Sequence, residues 1–196
     1  RAAIPASAMT ADPTTKMHFD RRALQMGGRR IATILPSLVP LGGLERLVLI
    51  HAREYVARGY EVDLVFFDEP NDVASTVPEG CRVFNLGVPR LRSALPSLVR
   101  YLRKERPDAI HAAMWPVTSI VAVAHRLSRS HAQLVFSDHN PLSLQYAGRG
   151  WRHRVALRAS MSMTYPWANA RVAVSGAVAD DLARLARMPR DRFTVI

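Results

Sequence analysis

A chain of 196 residues, 48% hydrophobic and 22% charged, has the size and composition of one globular domain rather than of a disordered segment. Its apolar runs fall short of the ~20 residues a bilayer-spanning helix needs; its one cysteine, Cys81, excludes an internal disulfide and a cysteine-built metal site, and its first 28 residues contain no apolar stretch of a secretory signal. The formal charge of +11 invites an anionic partner, yet the cations form no block and no zinc-finger spacing, recognition helix or aromatic RNA-binding signature accompanies them, so specific nucleic-acid binding is not expected.

Residues 1–28 lack periodicity and read as a disordered tail, leaving 29–196 as the folded domain. From Arg30 strand and helix patterns alternate. "RIATIL" (30–35) is a buried strand by its apolar, β-branched run. The glycine pair Gly42 and Gly43 follows, and 44–58 reads as a helix with Leu44, Leu47, Val48, Ala52, Tyr55 and Val56 on one face and Gly59 at its C-cap. "EVDLVFF" (61–67) and "RVFNL" (82–86) are the second and third strands. A helix from about Ser93 carries Leu95, Leu98, Val99 and Leu102 inward and stops at Pro107. "DAIHAAM" (108–114) is strand four, and Pro116 suits the first position of a helix over 117–129. "AQLVFS" (132–137) is strand five, 150–165 a helix, "RVAVS" (171–175) strand six, 177–187 a helix and "RFTVI" (192–196) strand seven. Doubly apolar strands separated by helices predict an α/β fold, a Rossmann-like parallel sheet sandwiched by helices. Ligands of such sheets bind beyond the carboxyl ends of the strands, which directs attention to the residues just after each strand.

Five stretches stand at such ends or near them. Gly42 and Gly43 fit neither G-x-G-x-x-G nor the P-loop pattern. They place free backbone N–H groups at a helix N-terminus, a natural phosphate site, or else they serve a tight turn that needs positive φ. "SDHNP" (137–141) sets Asp138, His139 and Asn140 at the tip of strand five. His139 can hydrogen-bond a substrate hydroxyl or transfer a proton, while Asp138 or Asn140 can cap the next helix. In "HAAMWP" (111–116), Trp115 stacks on a sugar or packs in the core, and His111 reads as a satisfied interior histidine. Ser175 lacks a G-x-S-x-G setting and reads as an N-cap rather than a nucleophile. "GRGWRHRVALR" (148–158) is a basic aromatic stretch whose Trp151, Arg152, Arg154, Val155, Leu157 and Arg158 face a membrane surface or plain solvent. The remaining histidines, His51 among them, show no metal-ligand spacing.

"GGLERLVLIHAREYVARGYEVDLV" (42–65), "YLRKERPDAIHAAMWP" (101–116), "LVFSDHN" (134–140) and "ARVAVSGAVADDLARL" (170–185), in this order, resemble the N-terminal domain of family 4 glycosyltransferases, retaining enzymes of the GT-B fold. The resemblance implies transfer of a sugar from a nucleotide sugar to a glycan or lipid-linked acceptor, in cell-surface polysaccharide or lipid-linked glycan synthesis. It implies that Gly42 and Gly43 lie against the donor diphosphate and that His139 contacts the donor sugar near the reacting carbon. Asp138, Asn140, Trp115 and Ser175 become further donor or acceptor contacts. It implies no metal or other cofactor, and a cytoplasmic enzyme that can sit peripherally on an anionic inner membrane face. Ala113 stands where the family often has a second histidine, and Gly176 where it often has a glutamate. Glu61 and Glu69 match the family's Glu-x7-Glu spacing by count, but they bracket a strand of this domain, so the match reads as chance. The nucleotide-binding second domain is not recognisable here. The chain therefore reads as the N-terminal half of a longer enzyme, inactive alone, or alternatively as an inactive acceptor- or membrane-binding module.

Overall fold

The computed structural model describes residues 29–37, 43–67, 77–88 and 93–196. Gly42, Glu69 and the tail over 1–28 lie outside the described residues. In chain order the elements are β1 (Arg30–Leu35), α1 (Gly43–Ala57), β2 (Glu61–Phe66), β3 (Cys81–Asn85), α2 (Ala94–Glu105), β4 (Ala109–Ala113), α3 (Val117–Ser128), β5 (Gln133–Asp138), α4 (Leu142–Gln145), α5 (Trp151–Thr164), β6 (Ala170–Ala173), α6 (Gly176–Ala186) and β7 (Thr194–Val195). The seven strands form one parallel sheet in the order β3-β2-β1-β4-β5-β6-β7.

This order positions everything else. From β1 the chain winds outward through β2 to β3, then returns to β4 on the other side of β1 and continues in the opposite direction. Right-handed crossovers therefore lay α1 on one face and α2, α3, α5 and α6 on the other. The buried side chains separate accordingly. Ala32, Ile34, Ile110, Ala112, Leu134 and Phe136 meet Leu98, Val121, Leu157, Met161 and Leu182 in the larger cluster. Leu35, Leu64, Phe66 and Ala113 meet Val48 and Ala52 of α1 in the smaller one. Strand alternation with period two sends neighbouring residues into different clusters, which is why these strands read as continuous apolar runs.

Local signals account for several boundaries. α1 ends in a Schellman motif: Gly59, at φ +84°, donates to Val56 O at 2.9 Å, and Tyr60 donates to Tyr55 O at 3.1 Å. The Tyr55 and Tyr60 rings then meet edge to face at 6.3 Å, the apolar contact that accompanies such a cap. Pro116 occupies the N-cap of α3, one residue earlier than its expected place. The short α4 has no apolar period to announce its extent.

Candidate functional site

The strand order reverses between β1 and β4, so the carboxyl ends of these two strands open a crevice. Gly43, the first residue of α1, stands at this end and is exposed. Its φ is not positive, so the tight-turn reading does not explain it. Among the described residues, no heavy atom lies within 4 Å of the place its Cβ would occupy. As the first turn of a helix, this end carries backbone N–H groups without helical partners and the positive end of the dipole.

Two turns along α1, His51 reaches β4. Its ring lies 6.5 Å from that of His111, centre to centre. His111 and Ser137 share the α1 face of adjacent strands, and His111 Nε2 and Ser137 Oγ are hydrogen-bonded at 2.8 Å. His139, two residues beyond Ser137, continues that row just past the end of β5. Three imidazoles from three elements thus gather at one side of α1. Burial, followed by the charges of His51 and His139, lowers the His111 pKa to about 4. Burial and then His51 lower that of His139. Both rings are neutral near pH 7. Among the described residues no three His, Cys, Asp or Glu side chains converge closely enough to hold a metal ion. The His139 ring makes no hydrogen bond to a described residue, so its nitrogens remain available to a ligand.

Asp138 lies under His139, on the other face of the sheet, and is 1% exposed. Tyr165 donates its hydroxyl proton to Asp138 Oδ2 at 2.8 Å, and Oδ1 has no partner among the described residues. Burial pushes the carboxyl up from 3.8 to about 6, against the opposing pull of the Tyr165 hydroxyl and the Trp115 backbone amide. Neither Asp138 nor Asn140 caps the next helix. Pro141 is the N-cap of α4, and Asp181 of α6 accepts the Ser143 N–H at 2.9 Å in their place. Trp115 packs rather than projects. It is 8% exposed, donates its indole N–H to Ser160 Oγ at 2.9 Å, and meets the rings of Tyr146 and His153 edge-on at 5.1 and 5.2 Å. Ser175 is the N-cap of α6 and accepts the Val178 N–H at 3.3 Å. Gly43 and His139 therefore face the crevice, Asp138 and Trp115 support it from below, and Asn140 is exposed at its rim. His51 and His111 join the site although the sequence presents them as unrelated. Only the register of β4 against β5 and the placement of α1 bring them together.

The buried pair of titrating groups makes a testable pattern in stability. His111 is harder to protonate folded than unfolded, so acidification from pH 6.5 to about 4 removes stability. Asp138 is harder to ionise folded than unfolded, so its contribution is present below pH 3.8 and is lost as pH rises to about 6. Each is worth about 3 kcal/mol, and the two oppose each other across that range. Asp138→Asn is expected to gain about 3 kcal/mol relative to the wild type between pH 4 and pH 7 in urea unfolding. Parallel stability curves for the two proteins would contradict the upward shift of the buried carboxyl.

The sequence profile of glycosyltransferase family 4 matches residues 41–196, and the chain belongs to that family. No curated protein matches the sequence. Among solved structures it is similar to Anabaena Alr3699/HepE in complex with UDP and glucose, at TM-score 0.63 and 19% identity over 86% of this chain and 44% of that one. It is similar to the lipopolysaccharide outer core galactosyltransferase WaaB, at TM-score 0.60 and 15% identity over 85% and 44%. It also resembles UDP-N-acetylglucosamine 2-epimerase from Rickettsia bellii, at TM-score 0.57 and 11% identity over 85% and 44%. The chain spans less than half the length of these structures, and likeness at such identities establishes the shared GT-B fold.

Proposed function

We propose that this chain is the acceptor-side half of a retaining glycosyltransferase that moves a sugar from a nucleotide sugar to a glycan or lipid-linked acceptor of cell-surface polysaccharide synthesis. One observation carries the reading: the N-terminus of α1 at Gly43 and a neutral His139, without a hydrogen bond to a described residue, stand at the same carboxyl end of the sheet, on its α1 face. The first suits a diphosphate and the second a sugar hydroxyl. UDP and glucose in the similar Anabaena structure support a nucleotide-sugar donor. The epimerase likeness supports the nucleotide sugar equally and a transfer reaction less, but the family match over 41–196 favours transfer. The enzyme acts on the cytoplasmic side, without a metal, at the inner face of the membrane. A second Rossmann-like domain supplies the nucleotide pocket, so this half alone holds donor poorly and turns over negligibly.

Gly43→Asp in the full-length enzyme tests the phosphate reading. The new carboxylate suits the helix N-terminus and replaces a poor helix former, so thermal stability is expected to hold or to rise by up to about 1 kcal/mol. The same charge repels the donor diphosphate, so donor affinity by calorimetry is expected to fall at least about tenfold. Unchanged donor affinity in a well-folded variant would remove Gly43 from the site.

A further inference from the structure

The outer face of α5 has the wrong polarity for a helix that merely meets water. A solvated face carries its charges at its centre. Here Trp151 and Val155, 66% and 56% exposed, occupy the centre of the exposed arc, and arginines flank them. At helical spacing Arg154 and Arg158 line one side of that apolar strip, and Arg152 lines the other. The Arg152 guanidinium lies 5.7 Å from the centre of the Trp151 ring. Leu144 of α4, seven residues before Trp151, is also apolar and 73% exposed. Leu157, grouped with these residues in the sequence, is buried in the core and does not contribute.

Along the chain the charge of this corner is of one sign, and Asp181, which α6 brings to α4, is held by the Ser143 N–H and Arg184. From His139 to Ala179 the sequence contains no aspartate or glutamate. Among the described residues no carboxylate pairs with Arg149, Arg152, Arg154 or Arg158. Elsewhere Arg58 pairs with Glu54, Arg184 with Asp181, and Arg190 with Asp180, while other surface arginines such as Arg100 and Arg126 pair with no carboxylate among the described residues. What distinguishes α5 is the clustering of its arginines around an apolar strip. Position adds a third argument. α5 runs back from the carboxyl end of β5 to the amino end of β6, so its first turn, with Trp151 and Arg152, stands at the same end of the sheet as His139.

We propose that the α4–α5 corner docks the protein on an anionic phospholipid bilayer, with Trp151, Val155 and Leu144 in the headgroup boundary and the four arginines on lipid phosphates. The geometry sets the crevice beside His139 at the lipid–water boundary. Resting on the transferase reading, it follows that the acceptor reaches His139 on a lipid carrier rather than from bulk water. An arginine near an anionic surface is worth roughly fivefold in partitioning, and the apolar tip supplies a part that salt does not screen.

Co-sedimentation with phosphatidylcholine vesicles, with and without phosphatidylglycerol, tests this. Binding is expected only with phosphatidylglycerol, to weaken with salt, and to shift the tryptophan emission to the blue. The triple variant R152Q/R154Q/R158Q is expected to lose about a hundredfold in partitioning. R152K/R154K/R158K is expected to bind as the wild type does, and Trp151→Ala to bind more weakly without the emission shift. These residues are exposed, so melting temperatures should not move. Equal binding to neutral vesicles, undiminished binding by the triple glutamine variant, or no vesicle binding at all overturns the proposal. So does binding of duplex DNA through the same arginines without vesicle binding. Vesicle binding needs no donor, so a full-length enzyme that binds vesicles yet transfers no sugar would retain the docking surface and refute the transferase reading.

Discussion

Replacing His139 with alanine in the full-length enzyme is expected to lower kcat about 10²- to 10³-fold, with a smaller change in donor KM and no change in melting temperature. The magnitude is that of removing one fixed hydrogen-bonding group from a site where charge develops in the transition state. The fold should tolerate the loss, because the His139 ring is half-buried and makes no hydrogen bond to any described residue. The direction of its pKa shift separates two roles. Burial and the neighbouring His51 lower it, so the ring is neutral at pH 7 and works as a neutral hydrogen-bonding group. Transfer should then remain level as pH falls from 8 to its usual value of 6.5 and decline only below that. An imidazolium role would instead make activity fall as pH rises through the same range. His51→Gln removes the second cause of the shift, so it should move the acid limb toward higher pH without abolishing transfer. Wild-type-like turnover by the alanine variant would exclude His139 from the mechanism.

Arg82→Ala is expected to destabilise the domain by about 3 kcal/mol, at the lower end of the cost of leaving a buried ion unpaired. Asp63, in the middle of β2, is fully buried. Arg82, on the edge strand β3, grips it with Nε to Oδ1 at 2.8 Å and a terminal nitrogen to Oδ2 at 2.9 Å. Tyr101 donates to the same carboxylate at 2.6 Å, and Arg82 also reaches Glu105 Oε2 at 2.8 Å. The two carboxylates hold the guanidinium pKa well above its ordinary value. The arginine side chain is 44% exposed, which lets water reach the pair and holds the cost below that of a fully dry one. Tyr101 keeps one partner on Asp63 after the substitution, which acts in the same direction. β3 has little apolar burial of its own: none of its five residues is buried, and only Cys81 and Phe84 pack against the core clusters, so this clamp is a main reason that it stays on the sheet. The double variant Arg82→Ala/Asp63→Asn should cost less than the sum of the two single changes, since neither leaves a charge behind in the other's absence. Strict additivity in urea unfolding would show that the pair is not coupled. The clamp lies away from the crevice, so the Arg82 variant should bind donor normally at temperatures where it remains folded.

Much of the fold was legible because each signal is local. Continuous apolar runs marked the strands, and the stripe through Leu98 and Leu102 marked α2. Gly59 marked the end of α1. Gly43 and His139 were legible as candidate site residues because a parallel sheet exposes the residues that follow its strands. What failed to show was non-local or too short to have a period. The capping of α4 by Asp181 joins residues 38 apart in sequence. Trp115 gave no local sign of choosing Ser160, Tyr146 and His153 over a ligand. His51 and His111 are 60 residues apart by number and share no motif.

By itself, the sequence determined the class of the fold, the positions of its strands and helices, and the family, because periodicity, turn residues and motif order are properties of neighbouring residues. The tertiary structure decided which histidines come together, that Asp138 is buried beneath them on a hydrogen bond from Tyr165, and which face of α5 remains outside. Those depend on strand register and crossover handedness, which set the distance between residues that the chain keeps far apart.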